Sequence, residues 1–340
     1  MKTVHSVLFR APLEEYLEKG VYQFEIQQPD LEAFLTTYND GRWVLMFTDE
    51  KERDERETRE AIVKAIGRTD IPIEIITTGT WDLGARVSDS FVSGRVFFAG
   101  DSAHHFPPTR GGYGANTGIH DAHNLAWKIS SVLSGTCSPQ LLSTYDNERR
   151  PVAWVRHQQI FARPDYQSEA AGLVTIDPII DDVAMELGQI YRSTAVAGAT
   201  ADLPVAQRPD QWNGQPGTRA AHLWVERAGE RLSTLDLLQR RWVLFSEEQS
   251  WKEAAASASD QTGIEVEAVL FGPDVRPEKP EEFRSLYGLG RRGACLIRPD
   301  GYIAWRIADL PDDAAAELAK TLAQVACSLR HPSPKQVSLS

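Results

Sequence analysis

Cysteine is scarce. Cys137, Cys295 and Cys327 are the only three in 340 residues. That excludes a disulfide scaffold and a zinc site built from four cysteines. No apolar run approaches the roughly 18–20 residues that cross a bilayer, so no membrane partner is expected. The opening residues Met1–Ser6 have no apolar signal-peptide core. Basic residues are in deficit: 36 Lys and Arg stand against 48 Asp and Glu, a formal charge of −12. A general nucleic-acid binder displaces counterions with a basic face, so that class is not expected. The chain has no G-x-S-x-G, H-E-x-x-H or G-x-x-x-x-G-K-[ST]. What remains is an ordinary globular composition, 42% hydrophobic and 25% charged. The length predicts two or three domains, and the cysteine usage predicts a cytoplasmic protein with reduced thiols.

The first 50 residues read mainly as strand and short loop. Tyr22–Ile26 alternates with period two, and the Asp40-Gly41 turn leads into a strand over Arg42–Phe47. Residues 49–60 are charged at every position except Thr58, with both signs at helical spacing. This predicts a solvated helix entry into Ala61–Ile66. Two strands are predicted around Ile71–Thr77 and Gly79–Val87. Arg95–Ala99 is a short apolar run without alternation, as expected for a strand buried on both faces. A Pro/Gly-rich segment follows. A helix is then predicted from about Asn116 to Leu133, a second near Ser138 and a third over Asp146–Ala162. The apolar set Ala122, Leu125, Ala126, Ile129, Val132 and Leu133 defines one face of the first. Residues 198–218 read as an interdomain connection. Beyond it, strand Arg241–Phe245, helix Gln249–Ala258, strand Ile264–Leu270, the hairpin around Pro299-Asp300-Gly301 and helix Asp312–Leu329 form a compact α/β plan.

The most informative order is a strand ending in Gly100-Asp101, then a glycine-rich loop, then a helix. Glycines let a backbone approach a ligand, and a helix N-terminus offers free N–H groups and partial positive charge. A carboxylate at the strand end can accept from polyol hydroxyls. A tight turn alone is the plainer reading of any single such loop; the surrounding residues decide otherwise. Gly100-Asp101-Ser102-Ala103-His104, Pro107-Pro108, Gly111-Gly112, Gly114-Ala115-Asn116-Thr117-Gly118 and Asp121–Lys128 together resemble the second flavin-binding motif of the class A flavoprotein monooxygenases, the FAD-dependent aromatic hydroxylases. Trp81 and Arg86 before it, and Tyr145, Glu148, Arg149, Arg150 and Pro151 after it, follow the same pattern. The resemblance covers about residues 80–155.

That resemblance implies FAD as cofactor, NAD(P)H as reductant and a small aromatic or polyketide substrate. It implies that Asp101 binds the ribityl chain and that the loop from Pro108 through Gly111 and Gly112 to Gly114 passes beside the isoalloxazine. The backbone at Gly114, Ala115 and Asn116 would face flavin N1 and the C2 carbonyl, where reduced flavin carries negative charge. The C-terminal segments Pro216–Trp224, Ser233–Leu238 and Arg298–Arg306 are similar to the thioredoxin-like domain of phenol- and polyketide-hydroxylase members. No Cys-x-x-Cys follows Arg241–Phe245, so thiol redox chemistry is not expected, and Cys295 reads as a small buried hydrophobe.

The family begins with a strand, G-x-G-x-x-G and a helix that hold the pyrophosphate and adenosine. No such unit precedes Gly100. The literal match Gly288–Gly293 follows a predicted helix, Glu281–Tyr287, and precedes a strand, the reverse order. The expected fold is therefore α/β (α+β): a partial FAD/substrate domain plus a thioredoxin-like domain. Its expected divisions are a substrate-domain sheet (1–90), a partial FAD-binding domain (91–200), the thioredoxin-like domain (201–332) and a disordered tail (333–340). The missing portion predicts an exposed apolar face near residues 95–133, to be covered by a partner or by a second copy. His104, His105, His120 and His123 cluster without a metal-ligand spacing, so no metal is expected. No catalytic side chain can be assigned. Two functions stand: a monooxygenase or its C-terminal part, and a non-catalytic or truncated homologue without flavin chemistry of its own.

Overall fold

The structure is a computed structural model that describes residues 2–49, 51–107, 112–163, 178–238 and 240–330. The chain divides into two compact units, one of residues 1–85 with 106–108, the other of 86–105 with 109–340.

The first unit contains β1 (Lys2–Arg10), β2 (Gln23–Gln28), β3 (Leu31–Thr37), β4 (Arg42–Phe47), α1 (Glu55–Ile66) and β5 (Glu74–Leu83). The sheet is antiparallel throughout, in the order β2-β3-β4-β1-β5. Alternation sets its faces. Val7, Phe9, Leu35, Trp43, Leu45 and Phe47 pack with Ile62 and Ile66 of α1 in one apolar core. Ser6, Val44 and Met46 alternate with them and point to the other face. The charged run enters its helix as expected, but the helix starts at Glu55. Asp54 accepts from the Glu57 N–H at 2.7 Å, and the Asp54 N–H donates to Glu57 Oε2 at 3.2 Å, a capping box. The strands expected around Ile71–Thr77 and Gly79–Val87 are joined across Thr78 into one, β5, and only Arg86–Val87 stands apart from it. Gly79 lies opposite Ser6 inside the ladder, where a Cβ would meet Ser6 Oγ at 3.3 Å. The glycine marks a close approach within the strand.

The second unit begins with β6 (Arg86–Val87), β7 (Val92–Ser93), β8 (Val96–Phe97) and β9 (His104–His105). The expectation for Arg95–Ala99 is corrected here. Only Val96 and Phe97 are in a strand, paired antiparallel with Val92–Ser93, and Val96 is 56% exposed. Among the described residues no further strand covers this run. Helices α2 (Tyr113–Leu133) and α3 (Gln140–Ala162) pack together. The helices expected near Ser138 and over Asp146–Ala162 are continuous as α3, which carries Pro151 inside it. That proline removes the N–H that would donate to the Asn147 carbonyl. A short helix, α4 (Asp182–Leu187), follows.

The C-terminal part contains β10 (Trp224–Arg227), β11 (Glu230–Ser233), β12 (Trp242–Ser246), α5 (Ser250–Thr262), β13 (Val266–Leu270), β14 (Arg276–Pro277), α6 (Pro280–Tyr287), β15 (Ala294–Ile297), β16 (Ile303–Ile307) and α7 (Ala314–Val325). Its central sheet runs β13-β12-β15-β16, with β12 and β13 parallel and the other pairs antiparallel. Both faces are apolar, which explains the unbroken hydrophobic strands. Leu244, Leu296 and Ala304 pack under α5 and α7, with Trp127 of α2 and Leu141 of α3 in the same cluster. Val243, Phe245, Cys295 and Ile297 face Phe283 and Tyr287 of α6. Burial pushes the Cys295 thiol up, in keeping with a small hydrophobe. The Gly288–Gly293 match is a turn. A Cβ at Gly290 would meet the Ala308 carbonyl at 2.5 Å, and one at Gly293 the Ile307 carbonyl at 2.5 Å. These glycines admit neighbouring backbone.

Candidate functional site

Gly100 adopts φ +58°, a left-handed conformation that glycine tolerates, and opens a short 3₁₀ turn, Gly100–Ser102. Ser102 Oγ donates to the Ala99 carbonyl at 2.8 Å and accepts from the Ala99 N–H at 3.1 Å. The turn rests against α2. A Cβ at Gly118 would come within 3.0 Å of Gly100 Cα. Asp101 is exposed at the tip.

Gly112, at φ +67°, is the N-terminal cap of α2. The helix starts three residues before the predicted Asn116. Gly114 would carry a Cβ with nothing within 4 Å, Ala115 is exposed and Asn116 half-buried. Asp101, Gly112, Gly114, Ala115 and Asn116 thus fall in the turn and at the first turn of α2, the two features that meet at Gly118. Pro108 and Gly111 lie outside the described residues.

The inner face of α2 is polar. Thr117, Asp121, Asn124 and Lys128 are buried, and α3 faces them with Glu148, Arg149 and Arg156, also buried. Asp121 Oδ2 accepts from the Gly100 N–H at 3.1 Å and from His104 Nε2 at 2.7 Å. Its Oδ1 accepts from Arg149 Nε at 2.7 Å. Arg149 also donates to the Tyr191 hydroxyl at 2.9 Å and the Thr117 carbonyl at 3.2 Å. Arg156 donates to Thr117 Oγ1 at 2.7 Å and to the Tyr113 carbonyl at 3.3 Å. Two guanidiniums therefore grip the first turns of α2. Burial would raise the Asp121 carboxyl, but the His104 bond and the Arg149 charge outweigh it and hold it below its ordinary value.

A second cluster meets the hairpin turn between β15 and β16. Glu148 accepts from Lys128 Nζ at 2.8 Å, Asn124 Nδ2 at 2.7 Å, Ser193 Oγ at 2.6 Å and Arg298 at 2.6 and 2.9 Å. Arg298 also holds Asp300. Burial opposes the Glu148 charge, yet Arg298 and Lys128 hold its pKa far below the carboxylate range. Burial pushes the Lys128 ammonium down to about 8, against the pull of Glu148.

The four histidines have separate settings. His104 is tied to Asp121 and His105 is exposed on β9. His120 and His123 line a cavity of about 20 Å³ with Arg219 and Tyr302, room for about one water. Burial, then the charges of Arg149, Arg219 and Arg156, pushes His120 down to about 3. The Asp121–Arg149 and Glu148–Arg298 groups are structural hubs that sequence pattern alone does not reveal, although Asp121, Glu148 and Arg149 belong to the flavin-motif segment. Charged residues at successive α2 and α3 positions were the available signal.

Residues 2–159 match the family model described as FAD binding domain, and residues 213–327 match that described as aromatic-ring hydroxylase, C-terminal. Both matched segments are domains of FAD-dependent aromatic-ring hydroxylases, and the chain is similar to those enzymes along most of its length. Among its hydroxylase relatives, the tetracenomycin A2 monooxygenase-dioxygenase of Streptomyces glaucescens is 35% identical over 94% of this chain and 60% of its own length. The 4-methyl-5-nitrocatechol 5-monooxygenase of a Burkholderia species is 40% identical over 79% of this chain and 50% of its own length. The crystal structure of aklavinone-11 hydroxylase with FAD and aklavinone superposes with a TM-score of 0.86 at 32% identity, covering 96% of this chain and 63% of that one. The chain thus spans about half to two thirds of the length of the hydroxylases it matches. No helix among the described residues is long and apolar enough to cross a membrane.

The hydroxylase cofactor, FAD, is compatible with what the second unit presents. The α2 N-terminus is uncrowded at Gly114, its leading N–H groups have no intrahelical partners, and the Asp101 carboxylate is open to a hydroxylated chain.

Proposed function

We propose that this chain is an FAD-dependent monooxygenase, or its C-terminal part, that hydroxylates an aromatic or polyketide substrate with NAD(P)H and O2. The observation that carries this reading is the Gly100–Asp101 turn, fixed against the start of α2 by the buried Asp121 carboxylate. In this reading Asp101 holds the ribityl chain. The backbone of Gly114, Ala115 and Asn116 would face the pyrimidine edge of the flavin, and the stretch carrying Pro108, Gly111 and Gly112 would pass beside the isoalloxazine. Bound FAD supplies the redox chemistry that delivers one oxygen atom of O2 to an electron-rich ring. The α2 N-terminus would hold negative charge at that edge without a side-chain proton. The sheet of the first unit serves as a substrate wall. Its face opposite α1 carries Ser6, Val44, Met46 and Trp81, and Trp81 Nε1 donates to Ser6 Oγ at 2.7 Å.

A second reading has its own support. Helix α2 turns an apolar stripe outward: Ala115, Ile119, Ala122, Ala126 and Leu133 are exposed, with Ile119 at 63% and Leu133 at 81%. This is the apolar face expected near residues 95–133. It fits a chain that works with a covering unit, a partner or a second copy, and has no flavin chemistry alone. Incubation with FAD, desalting and a visible spectrum separate the two. Retained flavin bands, bleached by NAD(P)H, support the monooxygenase. A colourless protein rules out independent flavin chemistry.

A further inference from the structure

We propose that Asp121 is the positioning residue of the Gly100–Asp101 turn, and that the C-terminal hairpin sets this turn at a distance through Arg149 and a stacked tyrosine pair. The turn needs an external anchor. Gly100 has the broadest backbone freedom of any residue type, and its left-handed φ is not self-enforcing. Asp121 supplies that anchor from α2. One of its oxygens takes two donors from the 100–104 segment, the Gly100 N–H and His104 Nε2. The direction in which Asp101 leaves Gly100 therefore follows from where Asp121 sits.

Asp121 is in turn held by Arg149, and Arg149 by the Tyr191 hydroxyl. The Tyr191 ring stacks on Tyr302 with centroids 4.0 Å apart and planes at 14°. Tyr302 immediately precedes β16, two residues after Asp300, in the hairpin that Arg298 locks to Glu148. Every member of this path is buried: Asp121 and Arg149 fully, Tyr191 at 1% and Tyr302 at 6% exposure. A buried charged network has few alternative arrangements, because moving one group leaves its partner unpaired in a dry interior. A shift of the hairpin is therefore passed to the turn and is not absorbed on the way.

The meaning of the turn as a flavin holder rests on the function proposed above; its positioning does not. The test therefore uses the full chain without FAD. Amide hydrogen exchange read by mass spectrometry compares wild type with Asp121→Asn, Tyr302→Leu and Tyr302→Phe. In Asp121→Asn, exchange in residues 99–105 rises about tenfold or more. In Tyr302→Leu the same segment rises several-fold, while Tyr302→Phe, which keeps the stacked ring, stays near wild type. Peptides of β12 and of α7 do not change. Wild-type exchange at 99–105 in Asp121→Asn overturns the positioning. A Tyr302→Leu effect confined to residues near 191 and 302 overturns the coupling. If Asp121→Asn does not fold, His104→Ala removes one of the two bonds from the turn. It shows a smaller rise in the same peptide, and no rise overturns the proposal. Faster exchange in a chain that never binds FAD leaves the positioning intact and removes only the flavin reading.

Discussion

The C-terminal sheet and the α2–α3 pair bury themselves by opposite means. In the sheet, Val243, Leu244, Phe245, Cys295, Leu296 and Ile297 are all fully buried, and apolar helices close both faces. On α2 and α3 the buried groups include Asp121, Asn124, Lys128, Glu148, Arg149 and Arg156 beside apolar residues such as Leu125 and Val152, while α2 leaves Ile119 and Leu133 outside. Hydrophobic burial stabilises without prescribing direction. A buried ionic network contributes less net stability, since desolvation offsets attraction, but each donor accepts one geometry. The half of the unit built for stability is apolar; the half beside the Gly100–Asp101 turn is built for position.

Breaking the polar half has the largest effect. Glu148→Ala strands Lys128 and Arg298 without their shared carboxylate. Urea unfolding is expected to show a loss of about 3–5 kcal/mol. Leu296→Ala opens a cavity in the apolar half and costs about 2–4 kcal/mol. Unlike Glu148→Ala, it leaves amide exchange at 99–105 at the wild-type rate. Equal exchange effects from both would erase the distinction between the halves.

Acid sharpens the contrast further. His120 has a folded pKa of about 3, against an ordinary value near 6.5. Between these values the unfolded chain binds a proton that the folded chain does not, so stability falls as pH drops below about 6.5. Chemical denaturation at pH 7 and pH 5 shows the drop, and His120→Gln makes it shallower. An unchanged slope would mean that His120 is not held neutral. The smallest effect is on the outside. Leu133→Gln changes unfolding free energy by less than about 0.5 kcal/mol. It also reduces any concentration-dependent self-association seen by light scattering, because the stripe supports no internal packing.

How much of this was legible in the chain follows the same division. The C-terminal strands, the Asp300-Gly301 hairpin and the Gly100-Asp101 turn were readable because local pattern and turn chemistry specify them. The α2–α3 interior was not. Helical periodicity assumes that the apolar face is the buried one, and α2 follows this only in part: Leu125 is buried, but Ala122, Ala126 and Leu133 are exposed while Asp121, Asn124 and Lys128 are buried. Glu148 and Arg298 are 150 residues apart, a pairing that no local window contains. The division of Ile71–Val87 into strands meeting near Gly79 missed one continuous strand for the same reason. The role of Gly79 depends on Ser6 across the ladder, in a strand with no feature of its own to announce the contact. The residues offered for the flavin, from Asp101 to Asn116, came from a motif, and α2 and its turn show where the motif's described members lie.

In the proposed function the Asp101 turn and the α2 N-terminus hold flavin. Titrating a fixed trace of FAD with the full chain, and reading its fluorescence anisotropy, tests this at equilibrium and so detects weak binding as well. Wild type is expected to give a saturable rise and Asp101→Ala an at least tenfold weaker one, roughly the loss of one charge-assisted hydrogen-bonding group. Superimposable curves for the two proteins, or no rise at any protein concentration, would contradict it.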